Sequence, residues 1–166
     1  MRGARLISWG LPLVTAAVYA WLAVWMGSQL RQMAGGALPF DLRVTGYSLH
    51  DARSYLQALS PAGFTLYQGP AALADTLFPV LFGLTLAWWM RPYSGAFGMV
   101  CVMTAMSYVA LDLGENTYVQ RMLTAGPDWV SYADVTRASA LTQGKFAAVA
   151  LGLVLAARQS WRRRHP

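Results

Sequence analysis

The chain has 166 residues, of which 56% are hydrophobic and only 12% are charged, and its mean hydropathy is +0.36. A soluble domain carries about 25% charged residues, so this composition excludes a water-soluble globular domain and indicates an integral membrane protein. The formal net charge is +6 at pH 7, but the arginines stand at the ends of apolar stretches. That placement favours anionic lipid headgroups over nucleic acid as the partner.

Four apolar stretches predict four transmembrane helices, at residues 6–26, 71–90, 95–113 and 138–157. Each reaches the ~20 residues that a helix needs to cross a ~30 Å hydrocarbon layer. The first stretch follows Arg2 and Arg5 but exceeds the ~7–15 apolar residues of a signal-peptide core, so we expect a retained anchor. The predicted fold is a single all-α domain over residues 1–166, an integral membrane four-helix bundle.

The distribution of arginines predicts the orientation of this bundle. The N-terminal segment, the turn at residues 91–94 and the tail at residues 158–164 carry seven arginines and no acidic residue. Because positively charged short segments stay on the cytoplasmic side, both termini are predicted to be cytoplasmic in a bacterial inner membrane. The two longer connections are then periplasmic.

The first long connection, residues 27–70, contains its own helical signal. Ser48 and Asp51 form a predicted capping box. Apolar residues then recur at helical spacing, which predicts a short amphipathic helix lying on the outer surface. These residues are Leu49, Ala52, Tyr55, Leu56 and Leu59. Pro61 is predicted to begin a further helix that bends near Pro70 and runs into the second span.

The second long connection is predicted to extend the third helix through residues 117–123 until Gly126 and Pro127 stop it. Thr136 or Ser139 is expected to cap the fourth helix. That helix carries a small residue at every fourth position, which lets another backbone approach closely in lipid. The small-residue face consists of Ala140, Gly144, Ala148, Gly152 and Ala156. Its expected partner is a helix of the same chain, with a second copy or another membrane protein as the alternative.

Several polar side chains interrupt the apolar pattern, and ionisable groups inside a membrane indicate function by default. At 1.5 Å per residue, Asp75 lies ~24 Å above Arg91 and Lys145 lies ~20 Å above Arg158, and the acids of the third helix reach similar heights. Tyr108, Asp112, Glu115 and Asn116 recur at spacings of three and four, so they share one helix face. The predicted ligand-binding set is Asp75, Tyr108, Asp112, Glu115, Asn116 and Lys145.

The charges of this set predict its internal pairing. Lys145 is expected to pair with one or two carboxylates, because an isolated ammonium in hydrocarbon is too costly. Three carboxylates and one lysine leave two negative charges, so either one acid is protonated, with Glu115 as a candidate general acid, or a further cation joins. The candidate cations are Arg43, Arg53, Arg121 and a metal ion.

Nucleophilic and metal chemistry find little support in the sequence. The only histidines, His50 and His165, lie outside the spans, and Cys101 is the only cysteine. We therefore expect no catalytic triad, no disulfide within the chain, and no resident metal or cofactor. Cys101 is predicted to be a small packed hydrophobic residue.

The chain resembles a family of uncharacterised bacterial four-helix inner-membrane proteins over residues 40–157. The similarity is carried by residues 46–48, Tyr67, Asp75 with Phe78 and Pro79, the Asp112, Glu115 and Asn116 motif, and Lys145. The architecture is more faintly similar to that of the emopamil-binding sterol isomerases, which implies a polar intramembrane pocket for lipophilic cations and sterols. This sequence lacks the intramembrane histidine of those enzymes.

Three functions remain open at this point. The first is a non-enzymatic protein that binds a lipid, a lipophilic cation or a protein partner through the polar cluster. The second is a lipid-modifying enzyme in which Asp75, Asp112 or Glu115 acts as acid and base while Lys145 stabilises charge. The third is a proton- or cation-coupled carrier. A structural alternative is that the cluster only ties three helices together.

Overall fold

The computed structural model describes residues 2–164, with side chains described for residues 9–163. These residues form five helices and no strand. Helix α1 is Arg2–Tyr19, continued by a π-helical segment Ala20–Met26 and by Gly27–Met33; α2 is Leu49–Ala58; α3 is Pro61–Leu66, a π-helical segment Tyr67–Ala71 and Ala72–Trp89; α4 is Gly95–Trp129; and α5 is Tyr132–Arg164. A single turn of 3-10 helix, Phe40–Leu42, lies in the first connection.

Four of the five helices are long and apolar enough to cross a membrane, at Trp9–Met33, Pro61–Trp89, Gly95–Trp129 and Tyr132–Arg163. The predicted all-α fold with four membrane-length helices is therefore confirmed. The helices run further than the predicted spans, mainly at the end that carries α2. Hydropathy marks only the part of a helix that is apolar enough for lipid, whereas backbone hydrogen bonding continues wherever the flanking residues pack on protein.

Helix α2 forms as the sequence predicts. The Ser48 hydroxyl accepts a hydrogen bond from the Asp51 N–H, and the Asp51 carboxylate accepts one from the Ser48 N–H. The Ser48 hydroxyl also donates to the Asp51 carboxylate at 2.7 Å, and this bond, together with the one from the Ser48 N–H, holds the pKa of Asp51 below its usual value. The apolar face of α2 is buried and packs on α4 and α5. The sequence predicted that this helix lies on the outer surface of the membrane. In the structure, α4 and α5 of the same chain cover its apolar face.

The start of α5 corrects a prediction. The helix begins at Tyr132, and the Ser131 hydroxyl caps it by accepting a hydrogen bond from the Asp134 N–H at 3.1 Å. Thr136 and Ser139 therefore lie inside the helix. Ser139 instead accepts a hydrogen bond from the Tyr47 N–H at 2.9 Å, which fixes the first connection against α5. At the end of α4, Gly126 has a φ of 72°, and the predicted stop is a kink after which the helix continues to Trp129.

Helices α4 and α5 pack most extensively, α3 packs on α4, and α1 packs on α3. The small-residue face of α5 contributes to this packing within the chain. A Cβ added at Gly144 would lie 3.4 Å from the Leu111 side chain, and one added at Gly152 would lie 3.1 Å from Leu86. Ala140 is exposed and lies off this face. A role of the face in binding a second copy or another membrane protein stays a prediction.

Gly83 marks the closest approach of α3 to α4, because a Cβ at this position would lie 2.3 Å from Val109 Cγ2. We expect Gly83→Ala to destabilise the protein by ~1–3 kcal/mol, since overpacking must displace a β-branched side chain. Gly114→Ala is the control, because a Cβ there makes only ordinary contact with Leu141 at 3.5 Å. Thermal unfolding in detergent measures both variants, and equal stability of the two would contradict the packing argument.

Candidate functional site

The centre of the polar cluster is an ion-pair triad that joins α4 and α5. The Lys145 ammonium lies 2.8 Å from Asp112 Oδ1 and 2.5 Å from Glu115 Oε2. All three side chains are buried, with exposed fractions of 8%, 3% and 0% for Lys145, Asp112 and Glu115. The predicted pairing of Lys145 is therefore confirmed, and the lysine meets two carboxylates rather than one.

Two hydroxyl groups complete the triad. The Tyr108 hydroxyl donates to Asp112 Oδ2 at 2.7 Å, and the Thr142 hydroxyl donates to Glu115 Oε1 at 2.6 Å. Each acid thus binds the shared lysine through one oxygen and a hydroxyl through the other. Sequence reasoning missed Thr142, although it precedes Lys145 by three residues and so lies on the same face of α5.

Asp75 is the member of the cluster that lies on α3, and its backbone carbonyl, not its side chain, accepts a hydrogen bond. The Asn116 side-chain amide donates to the Asp75 carbonyl oxygen at 2.8 Å, which ties α3 to α4. Within residues 9–163, the Asp75 carboxylate makes neither a hydrogen bond nor an ion pair. Asn116 Oδ1 is also buried without a hydrogen-bond partner. Glu115 Oε2 likewise lacks a hydrogen bond but forms the ion pair with Lys145, so the polar groups of the cluster that lack any partner are those of Asp75 and Asn116.

A cavity of about 380 Å³ adjoins this unpaired acid. Its walls come from α1, α3, α4 and α5, and they are mostly apolar, with aromatic rings of Tyr19, Phe78, Phe82 and Phe146. Lining residues extend along α3 from Asp75 to Trp89, a distance of ~21 Å at the helical rise. Helices α1 and α5 both line the cavity and make little direct contact with each other among the described residues.

Asp41 is a cavity residue that the sequence did not predict as part of the polar cluster. It lies in the Phe40–Leu42 turn and lines the cavity together with Asp75, Asp112 and Lys145. The Tyr67 hydroxyl donates to Asp41 Oδ1 at 2.6 Å and accepts a hydrogen bond from the Phe40 N–H. The loop therefore brings a carboxylate to the polar end of the cavity, and only the folded connection reveals it.

The extra cations considered from the sequence do not reach the cluster. The Arg43 guanidinium lies over the rings of Phe40, Tyr47 and Tyr55. Arg121 lies 4.0 Å from Asp134, and Arg53 is exposed on α2. Among the described residues, no group of three His, Cys, Asp or Glu side chains is placed to hold a metal ion.

The remaining candidates lie apart from the triad. His50 is exposed on α2, His165 lies outside the described residues, and Cys101 is buried in a separate apolar cluster. Thr15 and Thr85 share a hydrogen bond of 2.9 Å between their hydroxyls and line the far part of the cavity. Within the described residues, neither a histidine nor a cysteine therefore lies beside the triad.

Comparisons with protein-family models, with curated proteins and with solved structures find no match. The two resemblances drawn from the sequence therefore stay predictions. The functional interpretation depends on the cavity and its charges alone.

The triad predicts a specific pattern of stability. Lys145→Met leaves two buried carboxylates without their shared cation, so we expect a loss of about 3–5 kcal/mol in the free energy of unfolding. Neutralising all three groups with Asp112→Asn, Glu115→Gln and Lys145→Met removes the uncompensated charge and should recover most of that loss. Chemical denaturation in detergent measures both. A triple variant as unstable as Lys145→Met would contradict the ion-pair assignment.

Proposed function

We propose that this chain is an integral membrane protein that binds an amphipathic molecule, with the apolar part in the cavity and a cationic group beside Asp75. The observation that carries the proposal is an unpaired carboxylate at the polar end of a long apolar cavity. A carboxylate in such surroundings needs either a proton or a positive partner. A ligand cation supplies that partner.

The charge of the lining favours a cation over an anion. Asp41, Asp75 and Asp112 face the cavity against one ammonium, that of Lys145, which Glu115 also shares. The aromatic rings add attraction for a cation, since the face of an aromatic ring carries negative potential. Since α1 and α5 make little direct contact, we propose that a ligand enters between them directly from the bilayer, a route that suits a molecule with a long apolar part.

A binding protein accounts for this geometry better than a lipid-modifying enzyme or a proton- or cation-coupled carrier does. A lipid-modifying enzyme with separate acid and base needs two carboxylates that exchange protons with the substrate, yet only Asp75 lacks a partner, because Lys145 and a hydroxyl hold both Asp112 and Glu115. A carrier needs a polar route through the far half of the bundle, where the cavity offers only the Thr15 and Thr85 hydroxyls. We therefore propose a binding protein.

We further propose a bacterial inner membrane with both termini in the cytoplasm. The support is the charge asymmetry of the chain, because the arginines at residues 91 and 158–164 cluster at one end of the bundle. All seven acidic residues lie between positions 41 and 134, in the first and second long connections or in the helix parts next to them. Short positive segments remain cytoplasmic.

The binding proposal predicts a charge-dependent affinity. A dodecyltrimethylammonium ion with a photoreactive diazirine in its chain should label cavity residues in nanodiscs, and the alcohol with the same chain is the neutral comparison. Asp75→Asn should weaken labelling by the ammonium ion about tenfold or more, equivalent to ~1.4 kcal/mol, and change labelling by the alcohol far less. Peptide mass spectrometry measures the extent and the position of labelling.

Two variants make this test selective. Asp128→Asn removes an exposed acid outside the cavity and should leave labelling unchanged. Ala16→Trp fills the cavity wall without touching an acid and should weaken labelling by both probes. Equal labelling of wild type and Asp75→Asn by the ammonium ion would overturn the assignment of Asp75.

The orientation predicts which exposed positions a membrane-impermeant reagent reaches. In a Cys101→Ser background, cysteine introduced by His50→Cys should react with an impermeant maleimide once the outer membrane is permeabilised. Cysteine introduced by Arg162→Cys should react only after the inner membrane is lysed. The reverse pattern would place the termini on the outer side.

A further inference from the structure

A second cleft lies at the arginine-rich end of the bundle, far from the acidic cluster. It has a volume of about 610 Å³ and lies where α1, the end of α3 and the end of α5 converge. Its polar wall consists of Arg91, Ser160 and Arg163, and its apolar wall includes Trp9, Trp88 and Leu153. Exposed tryptophans beside arginines are typical of a membrane interface.

The two arginines of this cleft are held in defined positions. Arg163 Nη1 donates to the carbonyl oxygens of Trp89 and Arg91, and its Nη2 donates to the Ser160 hydroxyl. Nearby, the Gln159 amide donates to the carbonyl oxygens of Met90 and Pro92. The end of α5 is thereby fastened to the turn after α3, which places both guanidinium groups at one cleft.

Arg91 keeps most of its hydrogen-bonding capacity. Its Nε donates to the Trp88 carbonyl oxygen at 3.0 Å, and its guanidinium lies 3.2 Å from the centre of the Trp88 ring. Within the described residues, its two terminal amino groups donate no hydrogen bond. Stacking on tryptophan fixes the plane of the guanidinium, so these donors are prepared for an acceptor with two oxygens.

Within the described residues, no acidic side chain forms an ion pair with Arg91 or Arg163 of this cleft. The nearest acid along α3 is Asp75, which is ~21 Å from Trp89 at the helical rise. No acid follows Asp134 in the chain, so α5 brings none to this end. An anion from outside the chain can therefore supply the counter-charge.

We propose that this cleft binds the phosphate of an anionic phospholipid, with Arg91 as the principal ligand, Arg163 beside it and the lipid chains along Trp9 and Leu153. A phosphate diester offers the two oxygens that a guanidinium binds in a fork. Basic pockets between membrane helices bind acidic lipid headgroups in this way. The cleft adjoins the far end of the first cavity, because Pro12 and Trp89 line both, but its arginines lie at the end opposite Asp75.

Native mass spectrometry of purified protein with added phosphatidylglycerol or phosphatidylethanolamine tests the site. Wild type should retain phosphatidylglycerol in preference to the zwitterionic lipid. Arg91→Gln should weaken phosphatidylglycerol binding about fivefold, which corresponds to ~1 kcal/mol for one arginine at an anionic surface. Phosphatidylethanolamine carries the same phosphate diester but no net charge, so its weaker binding should fall by a smaller factor. Arg91→Lys should give a smaller loss, because the charge stays and the fork is removed.

Arg162→Gln is the matched control, since it removes the same charge from an exposed position of α5 that does not line the cleft. An equal loss in Arg162→Gln would overturn the proposal in favour of general charge attraction. Displacement of phosphatidylglycerol by millimolar inorganic phosphate would overturn the assignment to a lipid. The melting temperature of each variant is measured alongside, and full phosphatidylglycerol binding by a folded Arg91→Gln would also refute the site.

Discussion

Lys145 cannot remain charged in apolar surroundings without opposite charge, and this requirement organises the middle of the bundle. The lysine on α5 contacts both Asp112 and Glu115 on α4. The two helices must therefore pack in the register that places the lysine at the height of both carboxylates. The Tyr108 and Thr142 hydroxyls satisfy the carboxylate oxygens, which leaves the triad with few unpaired groups. Removing one charged group leaves the others unpaired in an apolar environment. The triad therefore determines how α4 and α5 pack and also stabilises that packing.

Charge is divided between the two ends of the molecule, and each end uses it differently. Near α2, carboxylates outnumber the nearby ammonium group and surround the polar end of an apolar cavity. At the other end, Arg91 and Arg163 contact backbone carbonyls, Arg91 stacks on Trp88, and within the described residues neither arginine forms an ion pair with an acid. A bilayer complements both arrangements, because an anionic headgroup matches the arginine cleft and an amphipathic cation matches the acids. The same separation produces the charge bias from which the orientation is inferred.

The sequence predicted those features that depend on spacing along one helix. Hydropathy found the four long helices, helical spacing put Tyr108, Asp112 and Glu115 on one face, and the shared height of Lys145 predicted its pairing. Features that depend on the folded connection were missed. Asp41 reaches the cavity only because Tyr67 and the turn at residues 40–42 hold it there, and the true cap of α5 is Ser131, which no apolar pattern marks. The cleft at Arg91 likewise exists only because α5 folds back onto the turn after α3.

The structure separates two roles that the sequence treated as one. Within the described residues, Lys145 on α5 forms ion pairs with Asp112 and Glu115 on α4. Such pairing is what a purely structural link between two helices requires. Asp75 does not take part: its backbone ties α3 to α4, while its carboxylate faces the cavity without a partner. A purely structural link gains nothing from an unpaired carboxylate such as Asp75 in an apolar wall, because an asparagine there would avoid the cost of burying a charge. The cluster can therefore be structural at Lys145 and still serve a ligand at Asp75.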